Sequence, residues 1–212
     1  MNGKLIILFG IDGSGKSTIL KMLESSGLDN TVCTSCLANA VFEEELYLAE
    51  KKLHFSRKDY FSREFKHAIH IGSVIFKMFD TILPILHSGK NVILDRYVIC
   101  IKIFGDLFLN PSYNCLSKAL ECLPTPNFGI YFDANVDTAF QRIQKRNKKV
   151  GIMPHYSESK ESLIMKKTKY ENLIPCENYP IVAVDANQSV DKVYSSVIKI
   201  LNDSGIYHNI TS

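Results

Sequence analysis

The stretch Gly10–Thr18, with the sequence GIDGSGKST, decides the fold. It follows the apolar run Leu5–Phe9 and precedes a segment in which Ile19, Leu20 and Leu23 recur at helical spacing. A glycine-rich loop that ends in Lys-Ser between a buried strand and a helix is typical of a phosphate-binding loop. Its glycines let backbone N–H groups approach phosphate oxygens, and the helix adds its positive N-terminal end. We therefore expect this segment, here called the phosphate loop, to bind ATP or GTP.

Individual residues of the phosphate loop have separate expected roles. Seven of them are expected to hold the triphosphate, namely Gly10, Gly13, Ser14, Gly15, Lys16, Ser17 and Thr18. Lys16 should reach the β- and γ-phosphates, and the Ser17 hydroxyl should bind Mg²⁺. Asp12 is unusual, because a carboxylate in a loop built for anions costs electrostatic energy unless it has a function. We expect it to hold a lid residue, orient an acceptor hydroxyl or contact Mg²⁺ through water; the alternative is a solvent-facing turn residue.

Strand-like apolar runs alternate with helical patterns along the whole chain. The five predicted strands are Leu5–Phe9, Thr31–Cys36, Asn91–Asp95, Phe128–Phe132 and Pro180–Val184. The predicted helices cover residues 16–27, 39–53, 57–87, 98–107, 111–123, 137–145, 155–172 and 191–201. Strands separated by helices favour right-handed crossovers and a parallel sheet covered on both faces. We therefore predict one α/β domain over residues 1–212, with a five-stranded parallel sheet and helices on both faces.

The long predicted helix has an apolar stripe of its own. Its members step by three, four or seven residues and so share one face: Phe61, Phe65, Ile69, Phe76, Phe79 and Leu83. Such a stripe is either part of the core or a surface on which a second copy of the chain could pack.

Asp95 and Arg96 follow directly on the third predicted strand. The carboxyl ends of the strands are where open α/β sheets bind ligands. Asp95 should support Mg²⁺ or act as a base, and Arg96 should bridge donor and acceptor phosphates with its guanidinium. The alternative is a surface ion pair at a strand end, but beside a phosphate loop the functional role is favoured.

A basic segment near residue 145 forms the third expected part of the site. Arg142 and Arg146 are four residues apart and so share one helix face, and Lys148 and Lys149 follow. We expect a lid over about residues 142–160, including a mobile segment at 150–154, whose cations close over the transferring phosphate and exclude water. The alternative is a solvated basic helix end.

Composition bounds the remaining possibilities. The formal net charge of +3 over 212 residues does not favour a nucleic-acid partner. The six cysteines are scattered, and the run Leu5–Phe9 is too short for a secretion signal or a membrane span, so we expect a cytoplasmic protein with free thiols and no membrane segment. Cys33 and Cys36 have the spacing of half a zinc site or a redox pair, but no second pair accompanies them, which favours chance.

Nearly end to end, the chain resembles the thymidylate kinase family, a group of P-loop nucleoside monophosphate kinases. The phosphate loop matches the form that this family has, including its internal acid. Further matching segments are residues 82–97, which resemble the family's passage from a helix to its Asp-Arg-Tyr motif, residues 126–133, the lid arginines Arg142 and Arg146, and residues 184–190.

The resemblance implies a P-loop NTPase fold, ATP and Mg²⁺ as cofactors, and a nucleoside monophosphate, dTMP in that family, as acceptor. Catalytic roles would fall to Asp12, Lys16, Asp95, Arg96, Arg142 and Arg146. Ser17 and Asp95 would hold Mg²⁺, and Asn187 and Gln188 would lie on the adenine side, where the family has the turn after its last strand. Members commonly pair through their long helices, so a homodimer is expected.

The departures from the family concern the acceptor pocket. Thr34-Ser35-Cys36-Leu37 stands where the family has Thr-Arg-Glu-Pro. Alignment back from Pro84 puts His70 in place of a ring that stacks on thymine and Val74 in place of an arginine that reads its carbonyl; Arg57 and Arg63 lie two to four turns away. The residues after Tyr97 differ as well. We expect an acceptor pocket lined by Ser35, His70, Val74 and Tyr97, with reduced selectivity for thymine.

This pattern leaves the acceptor open between a nucleoside monophosphate and a variant, anionic small molecule. An acceptor without phosphate would leave Arg96 partly unused, which favours an anionic one. A kinase of a nucleoside or small alcohol and an ATP-binding protein without catalysis are the alternatives.

Overall fold

Five parallel strands form the centre of the protein. The computed structural model describes residues 3–36, 41–54, 61–110, 118–151 and 155–205. The strands are β1 (Leu5–Phe9), β2 (Thr31–Ser35), β3 (Asn91–Asp95), β4 (Phe128–Asp133) and β5 (Ile181–Asp185), in the order β2-β3-β1-β4-β5. The prediction of a five-stranded parallel sheet is confirmed, and every predicted strand agrees with the observed one to within one residue at each end.

Helices cover both faces of this sheet. All five residues of β1 are buried, and because alternate residues of a strand point to opposite faces, both faces are covered. The helices are α1 (Lys16–Ser25), α2 (Val41–Leu53), α3 (Arg63–Lys77), α4 (Leu83–His87), α5 (Val98–Phe108), α6 (Val136–Val150), α7 (Lys160–Leu173) and α8 (Val190–Asp203). Short 3₁₀ turns lie at Ala119–Cys122, Tyr156–Glu158 and Ile174–Cys176. Of the predicted helix 111–123, residues 111–117 lie outside the described part.

The strand order explains why the predicted site residues meet. After β1 the chain builds one side of the sheet, β2 and β3, and only later the other side, β4 and β5. The sheet therefore has its topological switch point beside β1, where open α/β sheets bind their ligands. The phosphate loop leaves the carboxyl end of β1, and Arg96 leaves the carboxyl end of the neighbouring β3.

The long helix differs from the prediction in two ways. Its predicted start at residue 57 lies outside the described residues, and α3 begins at Arg63, where Ser62 caps it by accepting a hydrogen bond from the Phe65 N–H at 3.1 Å. A π-helical turn, Met78–Ile82, separates α3 from α4. Pro84 follows this turn and has no N–H to donate, so the wider turn accommodates the break in the helical hydrogen bonds.

Only part of the predicted apolar stripe of this helix faces the core, as Leu83 does. Ile71, Val74, Met78 and Ile82 face the core, each at most 3% exposed. Phe65, Phe76 and Phe79 of the stripe are instead 49%, 46% and 52% exposed.

The run Arg63–His87 is also long and apolar enough, by composition, to cross a membrane. A third of its most apolar window is buried inside the domain, and core helices of water-soluble proteins pass the same test. This is weak grounds for a membrane span.

Candidate active site

The backbone of the phosphate loop depends on glycine at Gly10, Gly13 and Gly15, which all have a positive φ. Gly13 has φ +80°, and a Cβ there would lie 2.3 Å from the Ala139 carbonyl oxygen, so only glycine lets the loop pack against α6. Gly15 has φ +95°, but a Cβ there would meet nothing within 4 Å. The loop is thus tightly packed on one side and has open space at Gly15, directly before α1.

Lys16 lies buried within the loop and is 4% exposed. Its Nζ donates to the Ile11 carbonyl oxygen at 2.8 Å and to the Ser14 hydroxyl at 2.9 Å. Burial, and then the nearby Arg96 guanidinium, lower the pKa of Lys16 to about 8. Hydrogen bonds to the loop therefore hold the Lys16 ammonium group, and phosphate oxygens can replace these two acceptors.

Asp95 and Ser17 meet between β3 and the start of α1. The Ser17 hydroxyl donates to Asp95 Oδ2 at 2.7 Å. Asp95 is 4% exposed, and its Oδ1 is buried without a hydrogen-bond partner among the described residues. A buried carboxylate oxygen normally has a partner, so this arrangement suits a cation bound by the carboxylate and the hydroxyl.

Asp12 has a cation on each of its two carboxylate oxygens. Arg96 donates to Oδ1, and Lys166 of α7 donates to Oδ2. Burial alone would raise the pKa of Asp12, but Arg96, Lys166 and Lys16 together hold it well below its usual range. Asp12 is therefore an ionised carboxylate at any physiological pH and not a solvent-facing turn residue.

Arg96 itself has φ +68°, in the left-handed region. For a residue other than glycine this conformation costs about 1 kcal/mol or more, and it persists where the surroundings require it. Here the Arg96 N–H donates to the Leu8 carbonyl oxygen at 2.9 Å while its side chain reaches Asp12.

Two cavities meet at Asp12 and Arg96, which line both. The first, called the loop cavity, has a volume of about 610 Å³ and is bounded by the phosphate loop, by α6, and by the turn after β5. The second, called the helix cavity, has a volume of about 320 Å³ and lies between α3, α5, α7 and the 3₁₀ turn at Tyr156. A carboxylate and a guanidinium thus stand at the junction of two adjoining spaces.

Comparison with known proteins shows the family to which this chain belongs. A family model described as thymidylate kinase matches residues 9–197. The chain belongs to the thymidylate kinase family. A thymidylate kinase from Ligilactobacillus salivarius is 26% identical over 211 residues, covering 96% of this chain and 99% of that protein. A probable thymidylate kinase from Methanosarcina mazei is 27% identical over 217 residues, covering 94% of this chain and 95% of that protein.

Solved structures support the same fold. A thymidylate kinase from Candida albicans has a TM-score of 0.69 at 18% identity and covers 97% of this chain and 94% of its own. A deoxyadenosine kinase from M. mycoides has a TM-score of 0.63 at 21% identity, covering 94% and 99%. At these identities the likeness shows the fold alone. With the family match it confirms the predicted P-loop fold and the prediction that the chain is a kinase.

Arg142 and Arg146, which the sequence predicts to be lid residues, lie on the α6 side of the loop cavity. Arg142 Nη1 donates to the Ala186 carbonyl oxygen at 2.8 Å. Arg146 Nη2 donates to Glu158 Oε1 at 2.5 Å, and its Nε donates to the Asn147 side chain at 3.2 Å. Both arginines line the loop cavity, and residues 152–154 of the expected lid lie outside the described part.

The two residues expected on the adenine side have different surroundings. Gln188 lines the loop cavity, together with Ala186. Asn187 is not among the described residues that line it. The Asn187 side chain accepts from the Asn135 N–H at 2.7 Å and donates to Asp185 at 2.8 Å, so it joins the turn after β5 to the start of α6.

The acceptor residues expected at the family's changed positions are only partly in the helix cavity. His70 lines it. Val74 is fully buried in the core, and Tyr97 is 1% exposed with its hydroxyl donating to the Pro124 carbonyl oxygen at 2.9 Å, so neither expectation holds. Ser35 is not among the described lining residues, and its carbonyl oxygen accepts from Lys77 at 2.6 Å. Whether these side chains reach the cavity depends on how the core packs, and a sequence alignment does not contain that information.

The helix cavity also contains charges and rings that sequence reasoning missed. Although Arg63 is two or more helical turns from His70 and Val74, it lines this cavity. Its guanidinium carbon lies 4.4 Å from the centre of the Tyr156 ring. The pocket is therefore not depleted of arginine, because the long side chain of Arg63, one helical turn before His67, reaches it. Lys66, His67, Phe104 and Lys166 line the same cavity.

Among these cavity residues, Lys166 is the one whose role the sequence pattern could best have indicated. Leu163, Lys166 and Tyr170 follow one another at helical spacing, and all three are buried. A lysine within a buried stripe requires a partner. Its Nζ has Asp12 and also the Ser157 carbonyl oxygen, at 2.8 Å.

Cys33 and Cys36 have little reactivity as thiols. Burial raises the pKa of Cys33 to about 11 and that of Cys36 to about 12, so both are unreactive thiols. Within the described ranges no group of three His, Cys, Asp or Glu side chains could hold a metal ion, and the five described cysteines are free.

Proposed function

We propose that the protein transfers the γ-phosphoryl group of ATP to a nucleoside monophosphate, with dTMP as the first candidate acceptor. The observation that carries this proposal is the junction of the two cavities at Asp12 and Arg96. A phosphoryl transfer between two bound nucleotides needs two adjoining sites and a cation where donor and acceptor phosphates meet. Arg96, which lines both cavities, would supply that cation.

The loop cavity would take ATP and Mg²⁺. Ser17 and Asp95 would hold the ion, and the unpartnered Asp95 Oδ1 supports this. When bound, Mg²⁺ neutralises charge on the transferring phosphates. Lys16 would exchange its bonds to Ile11 and Ser14 for phosphate oxygens, while Arg142 and Arg146 would stabilise charge from the α6 side.

The charges of the helix cavity favour a phosphorylated acceptor over a nucleoside or a small alcohol. Four cations line it, Arg63, Lys66, Arg96 and Lys166, and among the described lining residues Asp12 is the sole carboxylate. Asp12 is already engaged by Arg96 and Lys166. The cations therefore suit an acceptor with a dianionic phosphate, and the rings of Phe104 and Tyr156 suit a planar base.

Asp12 would place the acceptor, since it faces both cavities and its two oxygens are fixed by cations. An ATP-binding protein without catalysis is not favoured, because the charged groups needed on both sides of the junction are present.

We also propose a cytoplasmic homodimer, without a nucleic-acid or membrane partner. The half-exposed Phe65, Phe76 and Phe79 on the outer face of the long helix support a protein contact there. The modest charge of +3 and the free thiols support the remaining points.

A steady-state assay with a panel of acceptors tests the proposal. Formation of ADP from ATP and Mg²⁺ should depend on a nucleoside monophosphate, with a higher kcat/KM for dTMP than for thymidine or glycerol. Equal or greater activity with the unphosphorylated acceptors would show that the acceptor class is wrong. ATP binding without any acceptor-dependent ADP would show that the protein is not a kinase of this kind.

A further inference from the structure

His67 is a buried polar residue in the wall of the helix cavity that the proposed chemistry leaves unused. It lies on α3 and is 5% exposed. Its Nε2 is buried and has no hydrogen-bond partner among the described residues. Because a buried ring nitrogen without a partner costs free energy, such an atom calls for a ligand that completes it.

The His67 ring is held in a definite orientation. It stacks on Phe104 of α5, with ring centres 5.7 Å apart and an angle of 19° between the planes. Burial, and then the neighbouring His70, lower the pKa of His67 to about 4, so the imidazole is neutral at physiological pH. A neutral imidazole has one nitrogen that donates and one that accepts a hydrogen bond.

We propose that His67 recognises the base of the acceptor nucleotide, through a hydrogen bond from its unpartnered Nε2 to the polar edge of a pyrimidine. This rests on the proposed function, in which the acceptor is a nucleoside monophosphate, and names the group that selects its base. The phosphate of that acceptor would lie toward Arg96 and Lys166, the cations at the cavity junction.

The choice of base follows from the two tautomers of the ring. In the tautomer with hydrogen on Nδ1, Nε2 accepts from the N3–H of thymine or uracil. In the other, Nε2 donates to N3 of cytosine. Nε2 has no hydrogen-bond partner among the described residues that would fix either tautomer. We therefore expect dTMP, dUMP and dCMP all to be acceptors, with kcat/KM values within about tenfold of one another.

Substitution of His67 separates recognition from packing. His67→Phe keeps a ring to stack on Phe104 and removes both nitrogens, whereas His67→Gln keeps a donor and an acceptor without the ring. His87→Phe is the control, because His87 is exposed at the end of α4 and does not line the cavity. Melting temperatures identify any variant that fails to fold.

The expected result is a loss confined to the base. His67→Phe should lower kcat/KM for the pyrimidine monophosphates by about 10- to 100-fold, mainly through KM, with the KM for ATP unchanged. His67→Gln should recover part of this loss, and His87→Phe should match the wild type. A folded His67→Phe with wild-type kcat/KM for all three acceptors would overturn the proposal, as would a strong wild-type preference for purine monophosphates.

Calorimetry distinguishes failure of the proposed function from failure of base recognition by His67. If the wild type phosphorylates no nucleoside monophosphate, the proposed function is wrong, and binding of dTMP and dCMP to the wild type and His67→Phe then decides the role of His67. Weaker binding to His67→Phe supports base recognition at this residue. Equal binding to both proteins, or to neither, contradicts it.

Discussion

At the scale of single residues, the site depends on how Asp12 is kept ionised and fixed. Arg96 from the end of β3 and Lys166 from α7 each take one of its oxygens. Both partners of the Lys166 contact are largely buried, with side-chain exposures of 9% and 13%. Lys166 also binds the Ser157 carbonyl oxygen and so joins the phosphate loop to the 3₁₀ turn that carries Tyr156.

Lys166→Met should therefore impair catalysis more than folding. Asp12 would keep Arg96, so the free energy of unfolding should fall by only about 1–3 kcal/mol. We expect kcat to fall by about tenfold or more, because Asp12 and the Ser157 carbonyl oxygen both lose the ammonium group that positions them. Lys169→Met, one turn further along α7 at a half-buried surface pair with Asp106, is the control. Steady-state kinetics that gave both variants the same kcat would contradict this role.

Lys16 is the second residue whose role can be isolated. Its cation is expected to meet the triphosphate, so Lys16→Ala should weaken ATP binding by about 10- to 100-fold. Lys21→Ala changes an exposed lysine on the same helix and should leave the affinity intact. Calorimetric titration with a non-hydrolysable ATP analogue measures both affinities. Unchanged affinity in Lys16→Ala would contradict the binding of the triphosphate by Lys16.

At the scale of elements, the long helix has two functions. Its inner side supplies the core with Ile71 and Val74 and the helix cavity with His67 and His70. Its outer side exposes three phenylalanines of the predicted stripe. The sequence could not assign these sides, because both are apolar, and the π turn at Met78–Ile82 further shifts the residues that follow it.

Charge on the outer side should prevent the proposed dimer. Phe79→Glu replaces a side chain that is 52% exposed, so the monomer should fold normally while the apolar contact is lost. Leu48→Glu on α2 is matched in exposure, at 52%, and should not change the assembly. Sedimentation equilibrium distinguishes these states. A monomeric wild type, or a dimer that persists in Phe79→Glu, would contradict an interface on this face.

At the scale of the whole molecule, the alternation of strands and helices brings distant segments to one edge of the sheet. The phosphate loop and the Asp95-Arg96 pair could be predicted from the sequence, because each follows directly on a buried strand and parallel strands place their carboxyl ends together.

The helix cavity could not be predicted in the same way. Its walls come from α3, α5 and α7, and their side chains meet only through packing. Alignment with a family motif placed Val74 and Tyr97 there, although both are buried in the core, and passed over Arg63 and His67. The direction of a side chain on a helix depends on which face is buried, and this is a property of the assembled domain.

In the proposed reaction, a phosphoryl group passes from a nucleotide in the loop cavity to one in the helix cavity, across the junction at Asp12 and Arg96. Phosphorus NMR of the protein with ATP, Mg²⁺ and dTMP observes both products directly. We expect ADP and dTDP to accumulate in equal amounts, and Arg96→Ala to slow the formation of both. ADP accompanied by inorganic phosphate instead of dTDP, at the same rate with and without dTMP, would contradict it.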